Sequence, residues 1–169
     1  MAQQRIGILS DTHGYRETID EILAVTADDP VDLWLHAGDY GDDARYMATQ
    51  TDIPVLAVRG NNDRQQPLEP REQLISFADT YVYMTHGDRI APYNRIAEMI
   101  TLARGMGAKL AIAGHSHHHG SYDAGDCLFV NPGSPALPRD GSGGTFAIAT
   151  YADGHFTVEF YYLKEMTQY

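Results

Sequence analysis

The chain has 169 residues, which fits one domain of ordinary size whose core is large enough to fold without disulfides or structural metals. Hydrophobic residues make up 43% and charged residues 21%, and no apolar run is long enough to cross a membrane, so the composition excludes a disordered or membrane-spanning chain. Twenty-three acidic against 12 basic residues give a formal charge of -11, which disfavours extended nucleic-acid binding. Cations bound at one site would still let that site accept a small anion.

The N-terminal residues lack the basic start, apolar stretch and cleavage site of an export signal. The single cysteine, Cys127, cannot form an internal disulfide, which fits a reducing compartment. We therefore expect a cytoplasmic protein. Five of the eight histidines lie in two short segments, Asp-x-His at residues 11–13 and Gly-His-Ser-His-His-His at residues 114–119.

Short apolar runs that predict buried strands alternate with longer amphipathic segments that predict helices. In chain order, strands are predicted at residues 6–9, 33–35, 55–58, 81–84 and 110–113, and helices at residues 15–26, 42–50 and 93–104. Residues 65–71 contain two prolines and predict a loop. Three further strands, at residues 127–130, 145–151 and 155–161, are joined by glycine-rich turns. This order predicts a single layered α/β domain over residues 1–169.

Polar residues and a glycine follow each of the first five predicted strands. Ligands of open α/β sheets bind outside the carboxyl ends of the strands, so these side chains should converge on one site. Residues 115 and 117 are expected to point the same way, because alternate residues of an extended segment share a face. The candidate residues are Asp11, His13, Asp39, Asn61, His86, His115 and His117.

This set of side chains is an inventory of metal ligands. Imidazole, carboxylate and amide oxygen without thiolate suit Mn, Fe, Zn, Ni or Co. Seven donors are more than one ion takes, so two ions are implied; in such sites a carboxylate commonly bridges, and a hydroxide between the ions can attack phosphorus. Taken singly, Asp11 and His13 also suit a helix cap, Gly38-Asp39 suits a turn, and His86 suits a strand end.

The ordered set Asp-x-His, Gly-Asp, Gly-Asn-x-Asp, His-Gly and Gly-His-x-His resembles the calcineurin-like metallophosphoesterases, above all their small single-domain prokaryotic phosphodiesterases. The resemblance runs from residue 6 to about residue 139 and includes Asn-Pro-Gly-Ser at residues 131–134. It implies a four-layer αββα sandwich, in which two mixed β-sheets are flanked by helices. It also divides the ligands, with Asp39 as the bridge: Asp11, His13, Asp39 and His117 for one ion, and Asp39, Asn61, His86 and His115 for the other.

The resemblance implies a dimetal phosphoesterase that hydrolyses small phosphodiesters by attack of the bridging hydroxide, with Mn²⁺ as the expected metal and Fe, Zn, Ni or Co as alternatives. The sequence leaves open whether diesters or monoesters are preferred. The alternative function is a non-catalytic metal-binding scaffold similar to a eukaryotic retromer subunit, which has lost part of this ligand set. We expect no membrane partner. The aromatic-rich residues 156–162 can cover either the core or a second copy of the chain.

The remaining polar residues near the motifs are candidates for supporting the ligands or contacting the substrate. Larger members of the superfamily place a histidine after the ligand asparagine to protonate the leaving group, but here Asn62 stands there and an amide cannot supply a proton. Asn62 and Asp63 are expected to support the ligands or to contact phosphate, and Asn62 can equally be a turn residue. Arg64, His118 and Arg139 are candidate substrate contacts that can equally be solvated. His36 is expected to be buried, the pair His118 and His119 to form a solvated hairpin, and His155 to be inert.

Overall fold

The computed structural model describes residues 4–63 and 68–163, and within them ten strands and three α-helices form the fold. A 3₁₀ turn at Pro92–Asn94 leads into the third helix. The elements in chain order are β1 (Gln4–Leu9), α1 (Arg16–Val25), β2 (Leu33–His36), α2 (Gly41–Gln50), β3 (Val55–Ala57), β4 (Glu72–Phe77), β5 (Thr80–Thr85), α3 (Arg95–Gly105), β6 (Ala108–Ile112), β7 (Gly120–Asp123), β8 (Leu128–Asn131), β9 (Thr145–Ala152) and β10 (His155–Tyr162).

The strands form two mixed five-stranded sheets. The first sheet has the order β10-β9-β1-β2-β3, in which β1, β2 and β3 are parallel and β9 runs antiparallel to both of its neighbours. The second has the order β4-β5-β6-β8-β7, with a parallel centre of β5, β6 and β8 and an antiparallel strand at each edge. Because the central strands of each sheet are parallel, their carboxyl ends lie at one edge of that sheet.

Three apolar clusters hold four layers together. The largest lies between the sheets and includes the fully buried Ile8, Leu35 and Met84. A second cluster packs α1 and α2 on the outer face of the first sheet, where Trp34 and Phe146 lie. The third packs α3 on the outer face of the second sheet. The expected αββα sandwich of two mixed sheets is confirmed.

The packing of Trp34 explains a glycine in the middle of β1. Gly7 pairs with Trp34 across the parallel strands β1 and β2. A Cβ atom at residue 7 would lie 2.3 Å from the Trp34 ring, closer than non-bonded atoms can approach. The fully buried indole therefore takes the space that any side chain at residue 7 would need.

Every predicted helix and strand is present, with ends shifted by no more than two residues. The predictions missed β4 and β7, which are both edge strands. Residues 68–71 are irregular, as expected, whereas residues 65–67 of the same predicted loop lie outside the described residues. No helix among the described residues is long and apolar enough to span a membrane.

Candidate metal centre

Loops that follow strands of both sheets meet at one edge of the sandwich. Asp11 follows β1, Asp39 follows β2 and Asn61 follows β3, while His86 and His115 follow β5 and β6 of the second sheet. Backbone hydrogen bonds join neighbouring loops: the Asp11 N–H donates to the Gly38 carbonyl at 2.9 Å, and the Gly114 N–H donates to the His86 carbonyl at 3.0 Å. The two sheets together therefore supply the predicted ligand set.

One group of candidate ligands surrounds Asp11. Its Oδ1 atom lies 3.4 Å from His117 Nε2 and 3.9 Å from His13 Nε2. Ligand atoms of these three residues all lie within 4.8 Å of one another, which is close enough for one cation to contact them together. Asp11 and His117 are buried, and His13 is half-buried.

A second group surrounds the amide oxygen of Asn61. Asn61 Oδ1 lies 3.1 Å from His86 Nε2 and 3.1 Å from His115 Nδ1, and these two ring nitrogens are 3.3 Å apart. His86 is fully buried, whereas Asn61 and His115 reach solvent. This group is therefore open to solvent on one side.

Asp39 lies between the two groups and directs one oxygen at each. Its Oδ2 atom is 3.6 Å from His13 Nε2, and its Oδ1 atom is 3.4 Å from His86 Nε2. The Asp39 carboxylate can therefore contact both groups at once. Asp11 Oδ1 is also within 3.7 Å of His86 Nε2, so both carboxylates lie near both groups in the described protein.

Two buried polar atoms at the centre have no hydrogen-bond partner among the described residues. They are Asp11 Oδ1 and His13 Nε2. Buried polar atoms are nearly always paired, because leaving one unpaired costs about 1–3 kcal/mol. A divalent cation would satisfy both atoms, and the surrounding imidazole, carboxylate and amide donors suit such an ion. The residues therefore fit a metal centre.

The backbone at this edge is strained. Five of the candidate ligands have positive φ: Asp11 at 57°, His13 at 49°, Asp39 at 60°, His115 at 73° and His117 at 61°. Such values are uncommon for residues other than glycine and typically mark functional sites. The expectation that residues 115–117 form an extended segment is wrong, because left-handed residues there direct both histidines into the site.

Glycines allow the loops to approach the candidate ligands. A Cβ atom at Gly60 would lie 2.0 Å from Asp39 Oδ1, and one at Gly38 would lie 2.6 Å from His86 Nδ1. Both distances are well inside van der Waals contact. Side chains at these two positions would displace Asp39 and His86 from their places in the cluster.

Backbone carbonyls fix the orientation of two histidines. His86 Nδ1 donates to the Ala37 carbonyl at 2.8 Å, and His117 Nδ1 donates to the Leu137 carbonyl at 2.7 Å. These bonds place the proton on Nδ1 in the neutral rings and leave Nε2 of each ring facing the carboxylates. Such outer hydrogen bonds commonly set the tautomer of histidines that bind metals.

Two serines that the sequence analysis did not assign hold Asp11 in place. The Ser10 hydroxyl donates to Asp11 Oδ2 at 2.6 Å, and the Ser134 hydroxyl donates to the Asp11 carbonyl at 2.8 Å. The backbone N–H of His115 donates to the same Oδ2 atom at 2.9 Å. Ser134 belongs to the Asn-Pro-Gly-Ser stretch noted in the sequence, so a signal for it was present, whereas Ser10 had none.

The acidic residues change the proton affinity of the histidines. Burial lowers the pKa of His86, but the Asp39 and Asp11 carboxylates outweigh it and raise that pKa to about 9. Burial would raise the pKa of Asp39, yet bonds and charge from His86 and hydrogen bonds from Asn62 hold it well below its ordinary value. Burial lowers the pKa of His13 despite the two carboxylates. The centre therefore stabilises positive charge between Asp11 and Asp39.

The structure gives Asn62 and Asp63 supporting roles. Asn62 hydrogen-bonds to both oxygens of Asp39, at 3.0 Å through its backbone N–H and 2.7 Å through its side chain. Asp63 accepts the backbone N–H groups of Gly41 and Gly60, each at 2.8 Å, and so ties the loop after β3 to the start of α2. Arg64 lies outside the described residues.

Arg139 and the histidines outside the ligand set differ in their exposure and contacts. Arg139 is exposed, and its charge contributes to lowering the pKa of His13. The expectation of a solvated hairpin is wrong for His119, which is half-buried with its Nδ1 atom 2.5 Å from Asp140 Oδ2. His118 is exposed. His36 is buried, as expected, and His155 is exposed.

A comparison with protein families identifies the class. The sequence model of the calcineurin-like phosphoesterase superfamily domain matches residues 5–154 of this chain. The chain belongs to this family, as the ordered motifs predicted, and members of the family bind divalent metals. The candidate ligands from Asp11 to His117 all lie within the matched range.

Two curated relatives are similar over most of the chain. The probable metallophosphoesterase YsnB of Bacillus subtilis is 32% identical over 154 residues, covering 91% of this chain and 88% of the relative. The phosphodiesterase MJ0936 of Methanocaldococcus jannaschii is 25% identical over 146 residues, covering 76% of this chain and 82% of the relative.

Solved structures include two types of neighbour. A predicted phosphoesterase from Streptococcus pneumoniae aligns with a TM-score of 0.79 at 26% identity, covering 96% of this chain and 91% of its own. Vacuolar protein sorting 29 from Cryptosporidium parvum aligns with a TM-score of 0.69 at 17% identity, covering 95% of this chain and 98% of its own. The second likeness shows only that the fold is shared.

Proposed function

We propose that this chain is a phosphodiesterase that binds two divalent cations, Mn²⁺ foremost, and hydrolyses small phosphodiesters. The observation that carries the proposal is the position of Asp39, which directs one oxygen at His13 and the other at His86. A carboxylate shared between two groups of imidazole ligands suits a two-metal hydrolase, in which both ions act on one phosphoryl group.

The seven residues divide as the family resemblance implies. Asp11, His13 and His117 would hold one cation, Asn61, His86 and His115 would hold the other, and Asp39 would serve both. The unpartnered Asp11 Oδ1 and His13 Nε2 atoms support the first of these sites, and the convergence of His86 and His115 on Asn61 Oδ1 supports the second.

When bound, the cations would supply a nucleophilic hydroxide and would polarise the phosphate. The chain's own residues prepare the centre for this chemistry. Asn62 fixes both oxygens of Asp39, Ser10 fixes Asp11, and the Ala37 carbonyl fixes the tautomer of His86. Exposed Arg139 and His118 at the rim are the proposed contacts of the substrate.

Phosphodiesters are proposed as the first substrate class because a relative that is 25% identical over most of the chain is named a phosphodiesterase. A small substrate is proposed because the chain carries a formal charge of -11, which repels a long polyanion. The cations would offset that charge locally.

The second candidate function is a non-catalytic metal-binding scaffold of the same fold. The structural likeness to vacuolar protein sorting 29 is compatible with it. All seven candidate ligands lie in the two groups that share Asp39, and this complete set favours the enzyme.

The deciding experiment is hydrolysis of bis(p-nitrophenyl) phosphate by protein reconstituted with Mn²⁺. We expect turnover that a chelator abolishes and that Mn²⁺ restores. The exposed His155→Ala variant, far in sequence from the ligands, is the matched control and should keep the activity of the parent. A metal-loaded parent protein that hydrolyses neither this diester nor the corresponding monoester would favour the scaffold.

A further inference from the structure

A basic pocket lies beside the candidate metal centre, where the edge strands of the two sheets approach each other. It has a volume of about 360 Å³. Arg59 follows β3, Arg71 precedes β4, and Arg89 follows β5. The Arg59 N–H donates to the Pro70 carbonyl at 2.8 Å, which holds the loop after β3 against the loop before β4.

The pocket opens onto the candidate metal centre. Its walls include Asn61, whose Oδ1 atom lies between His86 and His115 in the second ligand group. They also include Gly60, which packs directly against Asp39. The basic pocket is therefore directly accessible to part of a molecule whose phosphate lies at the centre.

The three arginines lack ion-pair partners within the part of the chain that the structure describes. Arginine ion pairs there involve only Arg5, Arg16, Arg45 and Arg104. The buried Nε atom of Arg59 has no hydrogen-bond partner among the same residues. An unpaired buried donor is costly, and an anion in the pocket would pair it.

The carboxylates of the pocket do not neutralise the arginines. Asp63 and Asp88 also line it, so three guanidinium groups face two carboxylates. Both oxygens of Asp63 already accept the backbone N–H groups of Gly41 and Gly60. Loss of hydration and repulsion from Arg59 and Arg89 lower the pKa of Arg71, and the negative charge of Asp88 only partly offsets this effect. In a chain with a net charge of -11, this pocket is a local concentration of positive charge.

We propose that Arg59, Arg71 and Arg89 bind a second phosphate of the substrate, so that the substrate is a small phosphodiester that also carries a phosphate group outside the scissile linkage. Guanidinium groups match phosphate geometry through paired N–H donors, and three of them in one pocket suit a dianionic group better than a neutral one. This inference names the substrate class of the proposed function and rests on it. The pocket itself can be tested without turnover.

The first test measures binding of inorganic phosphate to the full chain without added metal, by titration calorimetry at low ionic strength. The variant is the double substitution Arg71→Gln, Arg89→Gln, whose side chains are exposed, so it should unfold at the temperature of the parent. We expect its affinity for phosphate to fall by about tenfold or more, because hydrogen bonds to charged groups are lost. Arg104→Gln, which removes an exposed arginine elsewhere, is the matched control and should bind as the parent does.

The second test compares two substrates of the Mn²⁺-loaded enzyme, thymidine 5′-(p-nitrophenyl phosphate) and the same diester with a 3′-phosphate. Both release p-nitrophenolate, and they differ only in the second phosphate. We expect the 3′-phosphate to raise kcat/KM by about tenfold, mainly through KM, and the double variant to reduce the ratio of the two kcat/KM values to about one. The Arg104→Gln control should keep the ratio of the parent.

The outcomes separate the two proposals. Equal phosphate affinity in the parent and the double variant, or no phosphate binding by the parent, would overturn the basic pocket as an anion site. A parent without preference for the 3′-phosphate would overturn its role in substrate selection. Turnover of neither substrate, with phosphate affinity that depends on the arginines, would overturn the proposed function and leave the anion site standing.

Discussion

Asn62 hydrogen-bonds to both oxygens of Asp39, through its backbone N–H at 3.0 Å and its side-chain amide at 2.7 Å. This residue stands where the resemblance to larger members of the superfamily leads one to expect a proton donor. In this chain its two donors are used to orient the carboxylate that faces both groups of candidate ligands. A residue that supplies no proton thus becomes part of the support of the centre.

Replacement of Asn62 by alanine should weaken metal binding. The variant keeps the backbone N–H bond to Asp39 but loses the side-chain bond. Loss of a residue that hydrogen-bonds to a metal ligand typically lowers metal affinity or activity by roughly 10- to 100-fold. Competition against a chromophoric chelator measures the change. Unaltered Mn²⁺ affinity in Asn62→Ala would show that the bond to Asp39 has no part in metal binding.

Leaving-group protonation should be poorly assisted, because Asn62 cannot donate a proton. We expect kcat/KM to fall steeply as the pKa of the leaving group rises in a series of aryl phosphodiesters, since positioned acid catalysis is worth roughly 10²- to 10⁴-fold. His119 is held between Asp140 and Tyr162, so the exposed His118 is the remaining histidine of that loop free to reach outward. If instead kcat/KM of the parent does not depend on the leaving-group pKa, a proton donor is present. A steep dependence in His118→Ala would then identify His118 as that donor.

A methyl group at residue 60 should damage the centre without unfolding the protein. The Cβ atom of Gly60→Ala would lie 2.0 Å from Asp39 Oδ1 and 2.7 Å from the Asp39 backbone nitrogen, so it would shift the local loop and force that carboxylate away from His86. We expect loss of most activity and of metal affinity, with circular dichroism unchanged. Gly105→Ala is the matched control, because a Cβ atom at the end of α3 meets nothing within 4 Å.

The layered fold could be predicted from the sequence because its central strands are apolar runs separated by amphipathic helices. The missed strand β4 alternates in burial, with only Ile75 and Phe77 buried, so it lacks a continuous apolar run. The missed strand β7 reads Gly-Ser-Tyr-Asp and has no buried residue. Edge strands of this kind are formed by pairing with a neighbour, which no local pattern records.

The ligand set could be predicted from residue types at strand ends, but its geometry could not. The left-handed backbone at His115 and His117 is locally unfavourable and exists because the surrounding structure enforces it. Asn131 contributes to this, since its side chain donates to the Gly114 carbonyl at 3.2 Å and to Ser116 Oγ at 2.9 Å. Contacts between residues so distant in the chain appear only in the folded protein.

Cys127 should be almost unreactive in the folded protein. The side chain is buried, and burial, together with the charge of Asp126, raises the thiol pKa to about 11. The reactive thiolate is therefore scarce at neutral pH, and its fraction should grow as the pH approaches that value. Reaction with a disulfide reagent at pH 7 should be slow for native protein and fast after unfolding in denaturant. Rapid reaction of the native protein would contradict the burial of this side chain.

If Asp39 joins two cation sites in one centre, the metal content of the reconstituted protein should show it directly. Mass spectrometric elemental analysis after Mn²⁺ loading and removal of free metal should find two ions per chain in the parent and in His155→Ala. Asp39→Ala should lose ions from both sites and nearly all turnover, because its two oxygens face His13 and His86. One ion or none in the parent, or two ions and undiminished turnover in Asp39→Ala, would show that Asp39 does not join two cation sites.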